Sequence, residues 1–319
     1  MSPREISDWA GILALLCFCA AATLRASKLL RSVSNAITAT AKQKQFRTHM
    51  SRIALPVVVT DRLGQFVSGL KQDDFLVFEN GKAQVISGFR EEDVPMTLGL
   101  VVDSSESMRA KSTEVRAVAM NLAESSNASD EIFVVTFNGR VCLSLPPNIP
   151  FTNNVEQLEA ALHKSAPEGE TALYDAILLA MKHLELSTRE RKSILLISDG
   201  DDNASRISAH QVLAAAKRNF APIYVLGIQH DGYFDTNATF LNQLAEVTGG
   251  RAHFIARRDP LSDIARQIAR ELREQYILVY SPSNGKCDEP FRTIRVVAQT
   301  PAQGTLLVRT RPGYQAQNG

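Results

Sequence analysis

Four continuous apolar runs, separated by amphipathic stretches, constrain the fold of this 319-residue chain more than any other feature. The runs TLGLVV, IFVVTF, SILLIS and PIYVLGI have the length and unbroken hydrophobicity of strands buried on both faces of a parallel sheet. Apolar residues recur at helical spacing in the intervening and following stretches, which are residues 109–125, 155–163, 172–186, 208–219, 239–247 and 260–274. This alternation predicts a doubly wound, mostly parallel α/β domain over residues 95–274, with right-handed crossovers.

Both flanks of this region have the pattern of β-structure. Residues 51–94 contain IALPVVV and DDFLVFENGKAQVISGF, and Asn80-Gly81 between two strand-like runs predicts a hairpin, because both turn positions need positive φ. Residues 275–314 contain YILVY, FRTIRVVA and TLLVRT. Together the flanks supply about six or seven strands, the usual content of a small sandwich. We therefore predict an α/β domain inserted into one β-sandwich, and two independent β flaps are the alternative.

The N-terminal residues have a pattern that predicts an export or anchoring signal. An uncharged run, WAGILALLCFCAAATL, occupies residues 9–24, and the small residues Ala20, Ala21, Ala22 and Ala26 in and just after it are suited to cleavage. Residues 1–26 are therefore predicted to be a signal peptide or membrane anchor, so that the body is periplasmic, cell-surface or secreted. Basic residues after the run favour a cytoplasmic body if the segment is uncleaved. Residues 27–50 form a basic linker that either lies on an anionic membrane surface or is simply solvated.

Charge and cysteine content exclude several classes of protein. Lys and Arg total 35 against 34 Asp and Glu, and a formal charge of +1 lacks the basic excess that nucleic-acid binding needs. Four cysteines are too few for a disulfide scaffold at this length. Cys142 and Cys287, the two in the folded body, are predicted to be free thiols.

Polar side chains cluster where the predicted strands end. Asp103, Ser105 and Ser107 alternate directly after TLGLVV, Asp199 follows SILLIS, and Thr171 lies in the loop before the predicted helix at residue 172. Because ligands of open α/β sheets bind outside the carboxyl ends of the strands, we expect these side chains to converge. Two carboxylates and three hydroxyls form an all-oxygen set that suits a hard divalent cation, Mg²⁺ foremost and otherwise Mn²⁺ or Ca²⁺.

Three motifs in this order resemble a known family. DxSxS begins at Asp103, GxTxLxD runs from Gly169 to Asp175, and SDG begins at Ser198. Together they resemble the complete metal-ion-dependent adhesion site of a von Willebrand factor type A (VWA) domain. The flanking segments are similar to those of the secreted bacterial VWFA-related proteins.

The resemblance implies a division of labour among the site residues. Ser105 and Ser107 would bind the metal directly, Thr171 directly or through water, and Asp103 and Asp199 mostly through water or hydrogen bonds. It also implies that an Asp or Glu of a protein partner completes the coordination. The expected function is therefore a metal-ion-dependent adhesion or assembly module and not an enzyme.

Two other functions are compatible with the sequence. Asp103 could be the nucleophile of a Mg²⁺-dependent phosphotransfer enzyme, but enzymes resembling the haloacid dehalogenase family have an Asp two residues on, where this chain has Ser105. A structural or assembly module with a vacant site is the other alternative. The run from Asp201 to Asn203 is interpreted as a solvated loop and helix cap, and Asp175 as a support for the ligands at most.

Overall fold

The computed structural model describes residues 52–91, 94–124, 126–229, 236–256, 261–283, 290–301 and 304–316. The predicted signal peptide or anchor, the basic linker and Cys287 lie outside these ranges. Within them, no helix is both long enough and apolar enough to cross a membrane.

Strands and helices are numbered in chain order within the described ranges. The strands are β1 (Ile53–Thr60), β2 (Phe75–Glu79), β3 (Lys82–Gln84), β4 (Ile86–Arg90), β5 (Met96–Asp103), β6 (Glu131–Phe137), β7 (Val141–Leu143), β8 (Arg191–Ser198), β9 (Ile223–Gln229), β10 (Ala252–Ala256), β11 (Gln275–Tyr280), β12 (Phe291–Thr300), β13 (Gly304–Thr305), β14 (Leu307–Arg309) and β15 (Gly313–Gln315). The helices are α1 (Ser112–Glu124), α2 (Val155–His163), α3 (Leu173–Leu184), α4 (Ala209–Arg218), α5 (Thr236–Thr248) and α6 (Leu261–Arg273).

The middle of the chain forms a mixed α/β unit on a six-stranded sheet of order β10-β9-β8-β5-β6-β7. All neighbouring strands are parallel except β7, which runs antiparallel to β6 at the edge. Every residue of β5 is buried, as its unbroken apolar run predicted. The order reverses on either side of β5, which is the doubly wound arrangement expected from the sequence.

The helices follow the predicted amphipathic stretches with small differences. The helix predicted over 155–163 has those bounds, whereas the one predicted over 109–125 begins as a 3₁₀ turn, Glu106–Lys111, before α1. Strand β10 was not predicted, because AHFIA is short and mixes His with apolar residues. Cys142 lies on β7 as an exposed free thiol.

The two flanks form two antiparallel sheets around a shared apolar cluster. One sheet has the order β14-β1-β11-β4, and the other has the order β13-β12-β2-β3 with β15 paired to β12. Leu55 and Leu278 of the first sheet and Val77 and Ala298 of the second belong to the same buried cluster. The hairpin prediction is confirmed, because β2 pairs with β3 and Asn80 and Gly81 have φ of 47° and 76°.

Two predicted strands of the flanks are each divided between the two sheets. The run after Asn80-Gly81 splits into β3, which pairs with β2, and β4, which pairs with β11. The run TLLVRT splits into β13, which pairs with β12, and β14, which pairs with β1. The prediction of one continuous strand was wrong in both places, because a strand that changes sheets bends at a point that hydrophobic periodicity does not reveal.

Candidate metal-binding site

The predicted site residues lie where the strand order of the central sheet reverses. Asp103 is the last residue of β5, and Asp199 directly follows β8, the parallel neighbour of β5. Their side chains are 3% and 4% exposed, respectively. Two carboxylates are thus brought to the carboxyl ends of adjacent buried strands, which is the usual ligand position in this class of sheet.

The loop after β5 folds back on the Asp103 side chain. The Ser105 backbone N–H donates to Asp103 Oδ1 at 2.8 Å, and the Ser105 and Ser107 hydroxyl oxygens are 3.1 Å apart. Ser105 is buried, whereas Ser107 is exposed. This turn therefore brings the three alternating oxygen-bearing side chains together, and it leaves Ser107 at the surface of the site.

Ser198 orients Asp103 from the neighbouring strand. Its hydroxyl donates to Asp103 Oδ2 at 2.6 Å and accepts from the Gly200 N–H at 3.0 Å. Gly200 has a φ of 93°, a conformation that favours glycine. In the sequence Ser198 is only part of a motif, and the structure shows that its hydroxyl orients the Asp103 carboxylate.

Hydrogen bonds join the loop that carries Thr171 to both of the other loops. Toward the β5 loop, Glu106 N–H donates to the Gly169 carbonyl at 3.2 Å. Toward the β8 loop, Thr171 N–H donates to Asn203 Oδ1 at 2.7 Å, and the Asn203 and Ala204 N–H groups both donate to the Thr171 carbonyl at 3.0 Å. Thr171 itself is buried. The three loops consequently form one connected unit around the predicted site.

The residues interpreted as loop and cap have cross-loop partners. Asp202 Oδ1 accepts from the Tyr174 N–H at 3.1 Å and so caps α3 from a different loop, 28 residues away in sequence. Asp175 Oδ2 accepts from the Arg206 N–H at 3.2 Å, and its own N–H donates to Ser205 Oγ. Capping was the predicted role for Asp202, but its helix is α3 and not the following one. Both carboxylates hold α3 and the β8 loop together.

Burial and a nearby like charge act on the Asp103 carboxyl. Burial, followed by the negative charge of Asp199, raises the pKa of Asp103 from its ordinary value of 3.8 to about 7. Hydrogen bonds from Ser105 and Ser198 act in the opposite direction. Ionisation of Asp103 beside Asp199 is therefore unfavourable near neutral pH, and a bound cation would stabilise the ionised carboxylate.

We expect the contribution of Asp103 to the stability of the metal-free protein to fall as pH rises. Between about pH 4 and about pH 7 the folded chain retains the Asp103 proton that the unfolded chain has released, so the free energy of unfolding decreases across this window. Urea unfolding in a chelating buffer measures this slope. Asp103→Asn should remove this contribution, and equal slopes for the variant and the wild type would contradict the assignment.

The donor set fits a hard divalent cation. Among the described residues, no three His, Cys, Asp or Glu side chains group as metal ligands. The five predicted residues comprise two carboxylates and three hydroxyls, so only two of them are of these residue types. Oxygen donors with two negative charges suit Mg²⁺ or Mn²⁺, which retain waters and accept few protein carboxylates.

A protein-family model matches the part of the chain that contains most of β5 and the whole of β8. Residues 98–201 match the family model described as the von Willebrand factor type A domain, a range that runs from β5 past Asp199. The VWA prediction is confirmed over these residues, and the central α/β unit has the VWA fold.

Curated relatives are distant and longer. The chain is 24% identical over 219 residues to inter-alpha-trypsin inhibitor heavy chain H4 of Bos taurus, which covers 64% of this chain and 23% of that protein. It is 25% identical over 206 residues to the Sus scrofa protein of the same name, covering 60% and 22%. The chain therefore spans less than a quarter of the length of these relatives.

A solved structure extends the likeness of fold beyond the central unit. A von Willebrand factor type A protein from Catenulispora acidiphila superposes with a TM-score of 0.50 at 12% identity, covering 83% of this chain and 74% of that one. At this identity the similarity concerns the fold.

Proposed function

We propose that this protein binds other proteins through a divalent cation held by Asp103, Ser105, Ser107, Thr171 and Asp199. The observation that carries the proposal is the connected unit of three loops at the carboxyl ends of the central strands. In it the buried Asp103 carboxylate accepts from the Ser198 hydroxyl and is close enough to the buried Asp199 carboxylate for their charges to interact. Mg²⁺ is the proposed ion, with Mn²⁺ or Ca²⁺ as substitutes.

The side chains would have different roles in binding such an ion. Ser198 and the Ser105 N–H both bind the Asp103 carboxylate, so this carboxylate is fixed in orientation. The hydroxyls of Ser105, Ser107 and Thr171 are neutral donors that leave the ion's positive charge only partly offset. A bound divalent cation would supply an electrophilic position for an external carboxylate, and we infer that the partner presents an Asp or Glu there.

The residues of the site do not favour a catalytic function. A phosphotransfer enzyme that used Asp103 would need a positioned acid or base, and the side chain two residues on is the Ser105 hydroxyl. We therefore propose a module for adhesion or assembly that performs no turnover.

We also propose that the flanks form a single β-sandwich into which the VWA domain is inserted. The apolar cluster shared by strands from both flanks supports this, as does the pairing of β11 with both β1 and β4. We further propose that the protein is exported, and residues 1–26 would supply the signal or anchor.

A capture experiment tests the proposed function. Immobilised full-length protein is incubated with an envelope extract in Mg²⁺ or in EDTA, and Asp199→Ala serves as a matched bait. We expect a defined set of proteins to bind the wild-type bait in Mg²⁺ and not in EDTA. Replacing an Asp or Glu of a captured partner should abolish its binding. Retention of the same proteins by Asp199→Ala or in EDTA would contradict the proposal and favour a structural module.

A further inference from the structure

A second concave site lies at the opposite end of the central sheet from the candidate metal site. It is a cavity of about 390 Å³ between the start of β1, the start of β8 and the ends of α3 and α4. Its apolar lining includes Pro56, Leu184 and Phe220, and its charged lining includes Arg52, Lys192 and Arg218. Lys192 and Ser198 are six positions apart on β8, or roughly 20 Å at the rise of a strand, so the two sites are separate.

Hydrogen bonds and stacking fix the walls of this cavity. Lys192 Nζ donates to the Leu184 and Ser187 carbonyls at 3.1 and 2.7 Å, which closes the end of α3. The Arg311 guanidinium stacks 4.6 Å from the Phe220 ring centre and donates to the Asn219 carbonyl at 2.8 Å. The cavity is therefore preformed, so a ligand would not have to order its walls.

Positively charged side chains outnumber negatively charged ones in the lining of this cavity. The Lys192 ammonium is engaged by carbonyls and faces the negative charge of Glu185, another lining residue. The lining carboxylate of Glu190 pairs with Arg90 at 3.1 Å. Arg52 and Arg218 are exposed and have no carboxylate partner among the residues that the structure describes. Two arginines that line this partly apolar cavity are thus available to an anion.

We propose that this cavity binds a carboxylate attached to a compact apolar group. Guanidinium groups match the planar geometry of a carboxylate and form two parallel hydrogen bonds with it. The apolar wall of Pro56, Leu184 and Phe220 receives the rest of the ligand, and the volume lies at the small end of the range for ligand sites. A free organic acid and a free chain terminus ending in an apolar residue share this chemistry.

Titration calorimetry of the full chain in EDTA tests the assignment without the metal site. The probes are N-acetyl-phenylalanine, its carboxamide, and a short Gly-Ser peptide ending in phenylalanine with a free or an amidated terminus. We expect a free carboxylate to bind at least about tenfold more tightly than its amide, because an amide loses the charge-assisted pairing. Binding of the free acid alone identifies a small-molecule site, and binding of the free-terminus peptide identifies a terminus-binding site.

Substitutions of Arg52 and Arg218 test whether the carboxylate probes bind in this cavity. Arg52→Gln and Arg218→Gln should each weaken carboxylate binding about tenfold, whereas Arg62→Gln, an exposed arginine outside the lining, should leave it unchanged. All three positions are exposed, so thermal melting should verify that each variant is folded. Equal affinity for acid and amide, no measurable binding of either acid, or an unchanged affinity in both cavity variants would overturn the proposal.

Discussion

Asp103→Ala and Asp199→Ala are each expected to abolish the heat of Mn²⁺ binding that the wild-type protein gives in calorimetry. These two carboxylates are the only negatively charged groups in the proposed set, and the remaining hydroxyls offset none of the ion's charge. Ser105→Ala should weaken binding without abolishing it, because water can replace one neutral donor. The wild-type affinity should itself be modest, since the proposed site keeps waters until a partner carboxylate enters.

Glu168→Gln is the matched control for this experiment. Glu168 is exposed in the loop before Thr171, and its backbone N–H donates to the Ser104 carbonyl at 3.0 Å, a bond that the substitution keeps. The control therefore removes a carboxylate beside the site without removing a proposed ligand. Mn²⁺ titrations of Asp103→Ala and Asp199→Ala that match the wild type would show that the ion, if bound, lies elsewhere.

The position of this site was predictable because two independent regularities coincide. Unbroken apolar runs identify β5 and β8 as central strands, and the carboxyl ends of such strands meet at one edge of the sheet. Asp103 and Asp199 directly follow those runs, so their proximity needed no knowledge of loop conformation. Thr171 is different, because it lies in a loop before a helix and does not follow a strand, so its place depends on the conformation of that loop.

The hydrogen bonds between the loops of the site could not be predicted from the sequence, and the reason is physical. Asn203 binds the Thr171 backbone across 32 residues, and Asp202 caps α3 across 28. An Asn or Asp in a loop is equally suited to a local turn, and only the packing of two loops decides which backbone N–H it meets. The same limit applies to Ser198, whose partner lies 95 residues away on the neighbouring strand.

Glu79→Ala is expected to lower the free energy of unfolding by roughly 3–5 kcal/mol. Glu79 is 3% exposed in the flanking sheets and accepts from Arg292 Nη1 at 2.8 Å, from the Tyr280 hydroxyl at 2.8 Å and from the Tyr314 hydroxyl at 3.0 Å. Removing the carboxylate leaves a buried guanidinium without this counter-charge and two buried hydroxyls without this acceptor. Urea denaturation measures the change.

Two variants separate the buried charge from other effects of substitution. Glu79→Gln keeps an acceptor oxygen, so it should cost less than Glu79→Ala. Glu190→Ala removes the exposed ion pair with Arg90, whose side chains are 45% and 51% exposed, and should change stability by about 1 kcal/mol at most. A Glu79→Ala cost no larger than that of Glu190→Ala would mean that the buried pair contributes nothing net.

Hydrogen exchange of Glu79→Ala tests whether the flanks form one sandwich and whether the VWA domain is stable without it. Glu79 lies on β2, whereas Tyr280 lies on β11 of the other sheet, so the carboxylate joins the two sheets through their shared interior. If the flanks form one sandwich, β2, β11 and β12 should lose protection together in the variant. Loss confined to β2 and its hairpin would instead support separate β flaps. Because β11 directly follows α6, protection lost in β11 but retained in β5 and β8 would show that the VWA core keeps its own stability.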